Sequence, residues 1–447
     1  MVRYVISQSI VSLAVLSFSL WIEAADPSVE SISGRLVAVG IPGAGAVSAV
    51  GAFHPGGPIQ DKAALRALTE PDAVLDPRRI LVASTSNFGA PPATTDYPAG
   101  AILSIDPRVR TTLVVPPTFG AAGGQARALD GCVMLYTAQS AHFLNKVYNA
   151  RAVTADLPSV SQPTAISINH AFGRPWFASM PRGVRAAGMQ SVVDPDGRPL
   201  DGAPSRVAGG IFMGRQTNRS PQLIRGSMST GAIALAFLGR SPDGSGRAVF
   251  AGLHADGSLV QVHAEHGVDG LALAGTVFDE LAGARISRAG MVLNWVPDRI
   301  LYVTDPVRSS IAVLSIVPDG PIFRVEQLRR WNARALDRPV DIAPAVPEIA
   351  SPVFSSNTTL AGDSDVYVAS RGNGTIARIK QDGTVIAVRR VALPGIGVLG
   401  PDRLNGIAVS PDAGLIWVSV DARLPGHPEG ALIELPAFGA PGGSPGS

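Results

Sequence analysis

The sequence predicts an all-β protein, a β-propeller of seven four-stranded blades arranged around one axis. Three observations support this fold. The 447 residues include 49 Gly and 37 Pro, which suit many short strands and disfavour long helices. Charged residues make up 16% of the chain and hydrophobic residues 46%, so the chain can form a core. Short apolar segments also recur with hairpin turns between them, the pattern of a repeat architecture.

The clearest copy of the repeat lies between residues 365 and 388. It contains a strand at 366–370, a turn at 371–374 and a strand at 375–379, followed by Asp382-Gly383. Asp-Gly predicts a two-residue type I′ hairpin turn, because both positions must adopt positive φ. Further copies pair residues 300–305 with 310–314, 248–251 with 259–262, and 80–84 with 101–106.

The number of blades follows from the segments that could form the innermost strand of each blade. Seven such segments occur, beginning near Gly43, Arg127, Pro163, Thr230, Arg288, Pro339 and Leu404. They predict seven blades, with six or eight as the alternatives. Residues 55–77 and 90–97 read as inserted loops, and residues 203–225 fit no copy of the repeat.

Both ends of the chain contribute to a predicted closure of the ring. After the strand at 431–435 the chain enters a Gly/Pro tail, which leaves the last blade one strand short. Residues 34–39 are a short apolar run without a hairpin partner nearby. Because unpaired sheet edges promote aggregation, we expect residues 34–39 to form the outermost strand of the last blade.

The N-terminus predicts export. Arg3 is followed by an apolar segment that ends at Trp21 and by the small residue Ala24, the pattern of a cleaved signal peptide. The expected organisation is a signal peptide at 1–24, one propeller domain at 25–438 and a disordered tail at 439–447. A retained membrane anchor is the alternative; otherwise no stable membrane span is expected. Cys132 is the only cysteine, which excludes an intrachain disulfide.

Two segments carry a resemblance to known families. LNGIAVSPDAGLIWVSVD, at 404–421, resembles the inner hairpin of NHL-type propellers and of the gluconolactonase/regucalcin-like family. DVYVASRGNGTIARIKQDGTVI, at 365–386, resembles a blade of NHL or streptogramin-lyase type. The resemblance implies the propeller fold, which hosts many unrelated functions.

The resemblance also implies a metal site. In gluconolactonase-like enzymes a divalent cation, such as Ca²⁺, is held at the propeller mouth by a Glu, an Asn and an Asp from different blades. Asn405 falls at the place of the Asn. The Glu and the Asp have no clear match, with Glu30 as a candidate for the first and Asp305 or Asp341 for the second.

Arginine residues stand at the start of four predicted inner strands. They are Arg127, Arg288, Arg338 and Arg403, and they are accompanied by Asp130, Gln162, Asp341 and Asn405. Inner strands line the central channel of a propeller, so these side chains are expected at one mouth of that channel. Guanidinium groups there suit a carboxylate, a phosphate or a sugar acid. The alternative is that each arginine pairs with an Asp of a neighbouring blade as a structural clamp.

A second cluster contains His254, His263, Glu265 and His266. Histidines and a carboxylate at such spacing could bind zinc or copper, whereas strand alternation favours a solvated blade edge.

These observations leave two functions open. The first is an exported, periplasmic or extracellular binding scaffold, expected to be a monomer, which recognises a protein partner or a small anionic ligand at the channel mouth. The second is a metal-dependent hydrolase or lyase. A net charge of +2 without a basic tract predicts that nucleic acid is not a partner.

Overall fold

The computed structural model describes residues 29–41, 44–49, 80–84, 101–105, 107, 111–112, 132–137, 162–169, 174–180, 210–213, 222–223, 232–245, 248–254, 259–263, 272–274, 288–294, 299–346, 359–360, 365–410, 412–421, 424 and 430–439. Every regular element in these residues is a β-strand, so the predicted all-β class is confirmed for this part of the chain. Within the same ranges, no helix is long and apolar enough to cross a membrane.

The strands follow one another along the chain from residue 29 to residue 436. The first group is β1 (Val29–Ser33), β2 (Arg35–Val39), β3 (Ala44–Ala49), β4 (Ile80–Ser84), β5 (Ala101–Ile105), β6 (Thr111–Thr112), β7 (Cys132–Thr137), β8 (Gln162–Asn169), β9 (Arg174–Met180), β10 (Gly210–Met213) and β11 (Gln222–Leu223). The second is β12 (Ala232–Arg240), β13 (Ala248–His254), β14 (Leu259–His263), β15 (Ala272–Ala274), β16 (Met291–Asn294), β17 (Ile300–Asp305), β18 (Ser310–Asp319) and β19 (Ile322–Asn332). The third is β20 (Pro339–Pro344), β21 (Thr359–Leu360), β22 (Val366–Ser370), β23 (Thr375–Ile379), β24 (Val385–Leu393), β25 (Gly397–Val398), β26 (Leu404–Val409), β27 (Leu415–Asp421) and β28 (Gly430–Pro436).

The described strands pair into six sheets, each with four principal strands, which we number as blades. From the axis outward, blade 1 is β3-β4-β5-β7, blade 2 is β8-β9-β10-β11 and blade 3 is β12-β13-β14-β15. Blade 4 is β16-β17-β18-β19, blade 5 is β20-β22-β23-β24 and blade 6 is β26-β27-β28-β2. Short strands extend three blades: β21 pairs with β16, β1 and β25 pair with β24, and β6 pairs with β2.

The innermost strands form a closed ring. Each contacts the next, in the order β3, β8, β12, β16, β20 and β26, and β26 returns to β3. This arrangement is that of a β-propeller. The predicted count of seven blades is not confirmed, because the ring formed by the described inner strands has six members.

One predicted inner strand lies elsewhere in the fold. The apolar segment after Arg127 is β7, which pairs antiparallel with β5 as the fourth strand of blade 1. The prediction that it begins a blade is therefore wrong, and Arg127 itself lies outside the described residues. Residues 203–225, which fit no repeat, contain β10 and β11, the two outer strands of blade 2.

The predicted pairing that closes the ring is confirmed, although the two-residue strand β6 lies outside β2 in the same sheet. Strand β2 pairs antiparallel with β28, with Arg35 opposite Glu434 and Val39 opposite Ala431. Strand β1 extends the closure, because it pairs in parallel with β24 of blade 5. Gly34 joins the two strands: its N–H donates to the Ala392 carbonyl at 2.7 Å, and a Cβ there would lie 2.7 Å from the Ile433 side chain. The N-terminal segment thus spans blades 5 and 6.

The core consists of apolar side chains packed between neighbouring blades. One cluster joins blades 3 and 4, a second joins blades 4 and 5, a third joins blades 5 and 6, and a fourth joins blade 6 to blade 1. Blade 4 also reaches blade 3 through Gln261, whose Nε2 donates to the Phe323 carbonyl at 2.5 Å and whose Oε1 accepts from the Phe323 N–H at 2.8 Å. Apolar packing and a buried amide therefore hold adjacent blades together.

The turn at Asp382-Gly383 differs from the prediction. Gly383 has a φ of 93°, and its N–H donates to the Lys380 carbonyl, while the Lys380 N–H donates to the Thr384 carbonyl. Asp382 does not have positive φ, so the type I′ turn is wrong. The geometry fits a three-residue loop in which Gly383 forms the left-handed bulge position. The signal-peptide segment 1–24, the inserted loops at 55–77 and 90–97 and the tail residues 440–447 lie outside the described residues.

Candidate functional site

One end of the ring gathers residues from three blades. Because neighbouring strands run antiparallel, the start of each inner strand lies beside the turn between the second and third strands. In blade 4, for example, the Thr304 N–H at the end of β17 donates to the Gly290 carbonyl before β16, at 3.0 Å. We define the mouth as residues 288–290, 305–309, 337–341, 371–374 and 402–405, which lie at this end of blades 4, 5 and 6.

Asp341 links these three blades. Its Oδ2 accepts the Ile407 N–H of blade 6 at 2.8 Å, and its Oδ1 accepts its neighbour's N–H, that of Ile342, at 2.9 Å. On the side of blade 4, Gly290 packs so closely that a Cβ there would lie 2.7 Å from the Asp341 Cα. Burial raises the pKa of Asp341 to about 7, against the opposing effects of these two hydrogen bonds and of the Arg288 charge.

Asn405 is buried, and both ends of its amide are bonded within the protein. Its Nδ2 donates to the Ala44 carbonyl of blade 1 at 2.8 Å. Its Oδ1 accepts a hydrogen bond from the Arg371 guanidinium of blade 5. A metal ion bound at this Oδ1 would lie beside a positive charge, which disfavours it. The prediction that Asn405 is a metal ligand stays a prediction, with this geometry against it.

Arg338 and Arg371 share one carboxylate. Arg338 Nη1 lies 2.8 Å from Asp402 Oδ1, and Arg371 Nε lies 3.7 Å from the same oxygen. The side chains of Arg338 and Asp402 are 48% and 56% exposed, whereas Arg371 is less so at 23%. This ion pair joins blade 5 to blade 6, as the clamp hypothesis predicts for Arg338. The exposure leaves it accessible from solvent, as ligand binding requires.

Backbone hydrogen bonds fix the positions of these side chains. The Arg338 N–H donates to Ser309 Oγ of blade 4 at 3.1 Å. The Arg371 N–H donates to the Arg338 carbonyl at 3.0 Å, and the Asp402 N–H donates to the Arg371 carbonyl at 2.8 Å. A continuous chain of bonds therefore runs across blades 4, 5 and 6.

The mouth also concentrates backbone strain. Ser309, Arg338 and Asp402 have φ values of 52°, 48° and 63°, in the left-handed region that non-glycine residues seldom adopt. Among the described residues only Ala413 shares this property away from the mouth. Such conformations cost on the order of 1–3 kcal/mol each and cluster at functional sites. The strained residues are those that the backbone bonds connect.

The other candidate metal ligands have partners or lie elsewhere. Asp305 is buried, and it pairs with Arg330 at 2.7 Å and with Arg308 at 3.3 Å, so it closes the turn between β17 and β18. Glu30 pairs with Arg389 at 2.9 Å on the outer edge of blade 5, away from the mouth. Within the described ranges, no three His, Cys, Asp or Glu residues are grouped to hold a metal ion.

The two described residues of the histidine cluster, His254 and His263, do not lie together. His254 is paired with Ala232 at one end of blade 3, and His263 is paired with Val249 near the other end. Along β13 these positions are five residues apart, or about 17 Å at ~3.3 Å per residue. His266 and Glu265 lie outside the described residues.

The structure therefore places five of the six predicted site residues at the mouth: Arg288, Arg338, Asp341, Arg403 and Asn405. Arg127 lies outside the described residues, as does Asp130, and Gln162 begins β8 in blade 2. Sequence reasoning missed Arg371 and Asp402, because both lie in turns. Arg371 was detectable in principle, since the turn that contains it follows a clear strand and must lie beside the next inner strand.

The similarity of this chain to known proteins is found in comparisons of structure and not in comparisons of sequence. No protein-family model and no curated protein matches the sequence. An auxiliary nutrient-binding protein from Bacteroides thetaiotaomicron is similar over 90% of this chain and 70% of its own, with 9% identity and a TM-score of 0.45. A gluconolactonase from Xanthomonas campestris is similar over 80% and 82%, with 10% identity and a TM-score of 0.31. The calcium-binding protein regucalcin from Agrobacterium tumefaciens is similar over 63% and 91%, with 16% identity and a TM-score of 0.33.

Gluconolactonase and regucalcin are thus among the structural neighbours, in line with the resemblance carried by the two segments. At these values the assignment of the propeller rests on the ring of sheets in this chain, and the neighbours' activities do not transfer to it.

Proposed function

We propose that this protein binds a small anionic ligand at the mouth. The observation that carries the proposal is the convergence of arginines from three blades on one end of the ring: Arg288, Arg338, Arg371 and Arg403. Guanidinium groups present planar sets of donors that match carboxylate and phosphate oxygens. An acidic surface of a protein partner would use the same donors, and it is the alternative occupant.

The balance of charge at the mouth supports an anion. The carboxylates beside these arginines are those of Asp337, Asp341 and Asp402. Because burial raises the pKa of Asp341 to about 7, this group is partly protonated near neutral pH. Arg308 and Asp305, which also lie at the mouth, pair with each other and leave this balance unchanged. The arginines therefore exceed the ionised carboxylates in the described part of the mouth.

The end of the channel opposite the mouth bears on where a ligand would enter. Strand β21 pairs in parallel with β16 on the edge that faces the axis, with Thr359 opposite Leu293 and Leu360 opposite Asn294. These positions lie at the end of β16 that is remote from Arg288 and Gly290. Two residues from the first connection of blade 5 thus lie on the channel side of β16 at the end opposite the mouth, and we expect a ligand to enter at the arginines instead.

Calorimetric titration of the purified chain tests the proposal. The ligands are inorganic phosphate, gluconate and succinate, and the variants are Arg403→Ala and Arg288→Ala. Each variant should weaken binding at least about tenfold, because a hydrogen bond to a charged group contributes ~1.5–3 kcal/mol. Arg324→Ala is the matched control, since Arg324 is half-exposed and pairs with Asp319 at the opposite end of blade 4. The proposal fails if no anion binds, or if the mouth variants behave like the control.

The same variants test the clamp hypothesis. If the arginines act only as structural clamps, Arg→Ala changes will lower the thermal midpoint without changing anion binding. Losses of stability at most of these arginines, with ligand affinity intact, would support that reading.

Hydrolysis is the second candidate, and one observation favours it. A carboxylate with a pKa of about 7 at a channel mouth, as found for Asp341, suits a general base. The test measures hydrolysis of a sugar lactone with and without Ca²⁺, Mn²⁺ or Zn²⁺, in the wild type and in Asp341→Asn. Metal-dependent turnover that Asp341→Asn abolishes would support an enzyme, and absence of turnover with every metal would exclude this candidate.

Export is also part of the proposed function, on the pattern of residues 1–24. A periplasmic or extracellular location would bring the mouth into contact with small anions outside the cytoplasm. Mass spectrometry of material recovered from outside the cytoplasm should find an N-terminus within a few residues of Ala25. Intact Met1 in that material would contradict cleavage, and size-exclusion chromatography would test the expected monomer.

A further inference from the structure

The exposed carboxylate of Asp402 occupies a position that an anionic ligand would also occupy. Its Oδ1 lies 2.8 Å from Arg338 Nη1 and 3.7 Å from Arg371 Nε, so one oxygen faces two guanidinium groups from blade 5. A single carboxylate or phosphate group has the same charge and the same acceptor geometry.

The two arginines are held in place by contacts that do not involve the Asp402 side chain. The guanidinium of Arg371 donates to Asn405 Oδ1, and that amide is fixed in turn by the Ala44 carbonyl. The Arg338 backbone is bonded to Ser309 Oγ, and Arg338 Nε lies 3.9 Å from Asp337 Oδ1. Removal of the Asp402 carboxylate would therefore leave the Arg371 guanidinium in place, with Arg338 anchored beside it through its backbone.

The ion pairs of the Asp402 side chain, by contrast, lie at the surface. The side chain is 56% exposed, and its ion pair with Arg338 is of the solvent-exposed kind that contributes little to stability. The Asp402 backbone stays anchored, because its N–H donates to the Arg371 carbonyl at 2.8 Å. Rotation of the side chain into water would open the space between the arginines without displacing the turn.

Backbone strain provides a second, independent observation. Arg338 and Asp402 both have positive φ, 48° and 63°, and their side chains meet across the boundary between blades 5 and 6. Backbone conformations of this kind cluster at ligand-binding and active sites, which agrees with a ligand at this point.

We propose that Arg338 and Arg371 form the subsite for the ligand's carboxylate or phosphate group, and that Asp402 occupies this subsite until the ligand displaces it. The inference rests on the proposed function and deepens it. The incoming anion takes the place of Asp402 Oδ1 at Arg338 Nη1, and the Asp402 carboxylate moves into solvent. Asp402 thus acts as an internal competitor that sets the affinity of the mouth for anions.

The decisive variant is Asp402→Asn. Asparagine has nearly the same shape and tolerates the left-handed backbone, so the variant removes the charge and preserves the turn. It should bind inorganic phosphate and gluconate about fivefold more tightly than the wild type does, because the ligand no longer has to displace an exposed ion pair, and about fivefold corresponds to the ~1 kcal/mol that such a pair contributes at most. When Arg338→Ala is combined with Asp402→Asn, this gain in affinity should be lost.

Two carboxylates serve as controls. Asp319→Asn removes an exposed carboxylate at the opposite end of blade 4, and it should leave binding unchanged. Asp337→Asn removes a carboxylate that lies near Arg338 but not between the two arginines. If Asp337→Asn tightens binding as much as Asp402→Asn does, the effect is general electrostatics and the assignment of the subsite is overturned.

The titrations separate failure of this inference from failure of the proposed function. If the wild type binds anions and Arg403→Ala weakens binding, but Asp402→Asn has unchanged or weaker affinity, the internal competitor is refuted and the proposed function stands. If neither the wild type nor Asp402→Asn binds any anion, both are refuted. The phosphate and gluconate titrations also distinguish the ligand's group, because a subsite for phosphoryl groups alone would tighten only for phosphate.

Discussion

Asp341 should make the stability of this protein depend on pH between about 4 and 7. Its folded pKa is about 7, above the ordinary value of 3.8 for Asp, because burial disfavours the charged form. Between these values the folded state binds more protons than the unfolded state, so the free energy of unfolding falls as pH rises. Each pKa unit corresponds to ~1.4 kcal/mol, so the loss above pH 7 has an upper bound of about 4 kcal/mol.

Asp341→Asn removes this dependence. The carboxamide carries no charge, and its single oxygen can accept only one of the two N–H groups that the carboxylate accepts, those of Ile342 and Ile407. The lost hydrogen bond costs about 1–3 kcal/mol at every pH. The variant should therefore be less stable than the wild type at pH 4.5, and the difference should shrink or change sign by pH 8.

The measurement is urea unfolding at pH 4.5, 6, 7 and 8, followed by tryptophan fluorescence and far-ultraviolet circular dichroism. The quantity compared is the difference in unfolding free energy between Asp341→Asn and the wild type, since other titrating groups cancel in it. We expect this difference to change by about 2–4 kcal/mol across the range. Asp319→Asn should change the pH profile little. A difference for Asp341→Asn that is constant within about 0.5 kcal/mol would refute the reasoning.

Three further predictions concern the contacts between blades. Gln261→Leu leaves the Phe323 N–H and carbonyl unsatisfied, so urea unfolding should show a loss of about 2–6 kcal/mol. Deletion of residues 29–41 removes four buried Val or Ile side chains and should cost on the order of 6–12 kcal/mol; an unchanged thermal midpoint would contradict the closure. Gly290→Ala places a Cβ against Asp341 and should lower the thermal midpoint, whereas Gly400→Ala, in open space, should not.

The strands of blades 4, 5 and 6 were predictable because their sequences are locally unambiguous. Residues 300–305 and 366–370 are strands at the predicted bounds, and β26 begins at Leu404, where an inner strand was predicted to begin. The closure by β2 was predictable for a different reason, since the last blade lacked a strand and the N-terminus had an unpaired apolar run. Both inferences use features that lie close together in sequence or at the chain ends.

The blade count was harder to predict, because an outer strand can resemble an inner one. Cys132–Thr137 is as apolar as the true inner strands, yet it is the fourth strand of blade 1. Apolar composition alone therefore does not distinguish the innermost strand of a blade from the fourth. The position of a strand within its blade depends on which strand it pairs with. The sequence of β7 alone does not show that its partner is β5.

At the mouth, too, some residues were predictable from their local sequence, whereas others depend on contacts between blades. The arginines that precede β20 and β26 were predictable from their place in the repeat. The contact between Arg371 and Asn405 spans 34 residues and two blades, so it depends on how the blades are rotated against each other. The left-handed backbone of Asp402 is equally a product of tertiary contacts, since its sequence neighbours do not require it.

Burial separates structural ion pairs from ligand-accessible ones in this protein. At the end of blade 5 opposite the mouth, Arg378 pairs with Asp365 at 2.8 Å, and these side chains are only 8% and 16% exposed. Arg378 Nη1 also donates to the Phe438 carbonyl at 2.9 Å, and Tyr367 bonds both backbone groups of Phe438. Loss of one partner would leave a buried charge unpaired, which is strongly destabilising.

The pair between Arg338 and Asp402 lacks these features. Both side chains are about half-exposed, so water can replace either partner at little cost in stability. A clamp built for stability would be expected to resemble the Arg378 network, with burial and several shared acceptors. The mouth combines weak ion pairs with strained backbone, and that combination makes exchange of one carboxylate for another easy while the surrounding blades stay fixed.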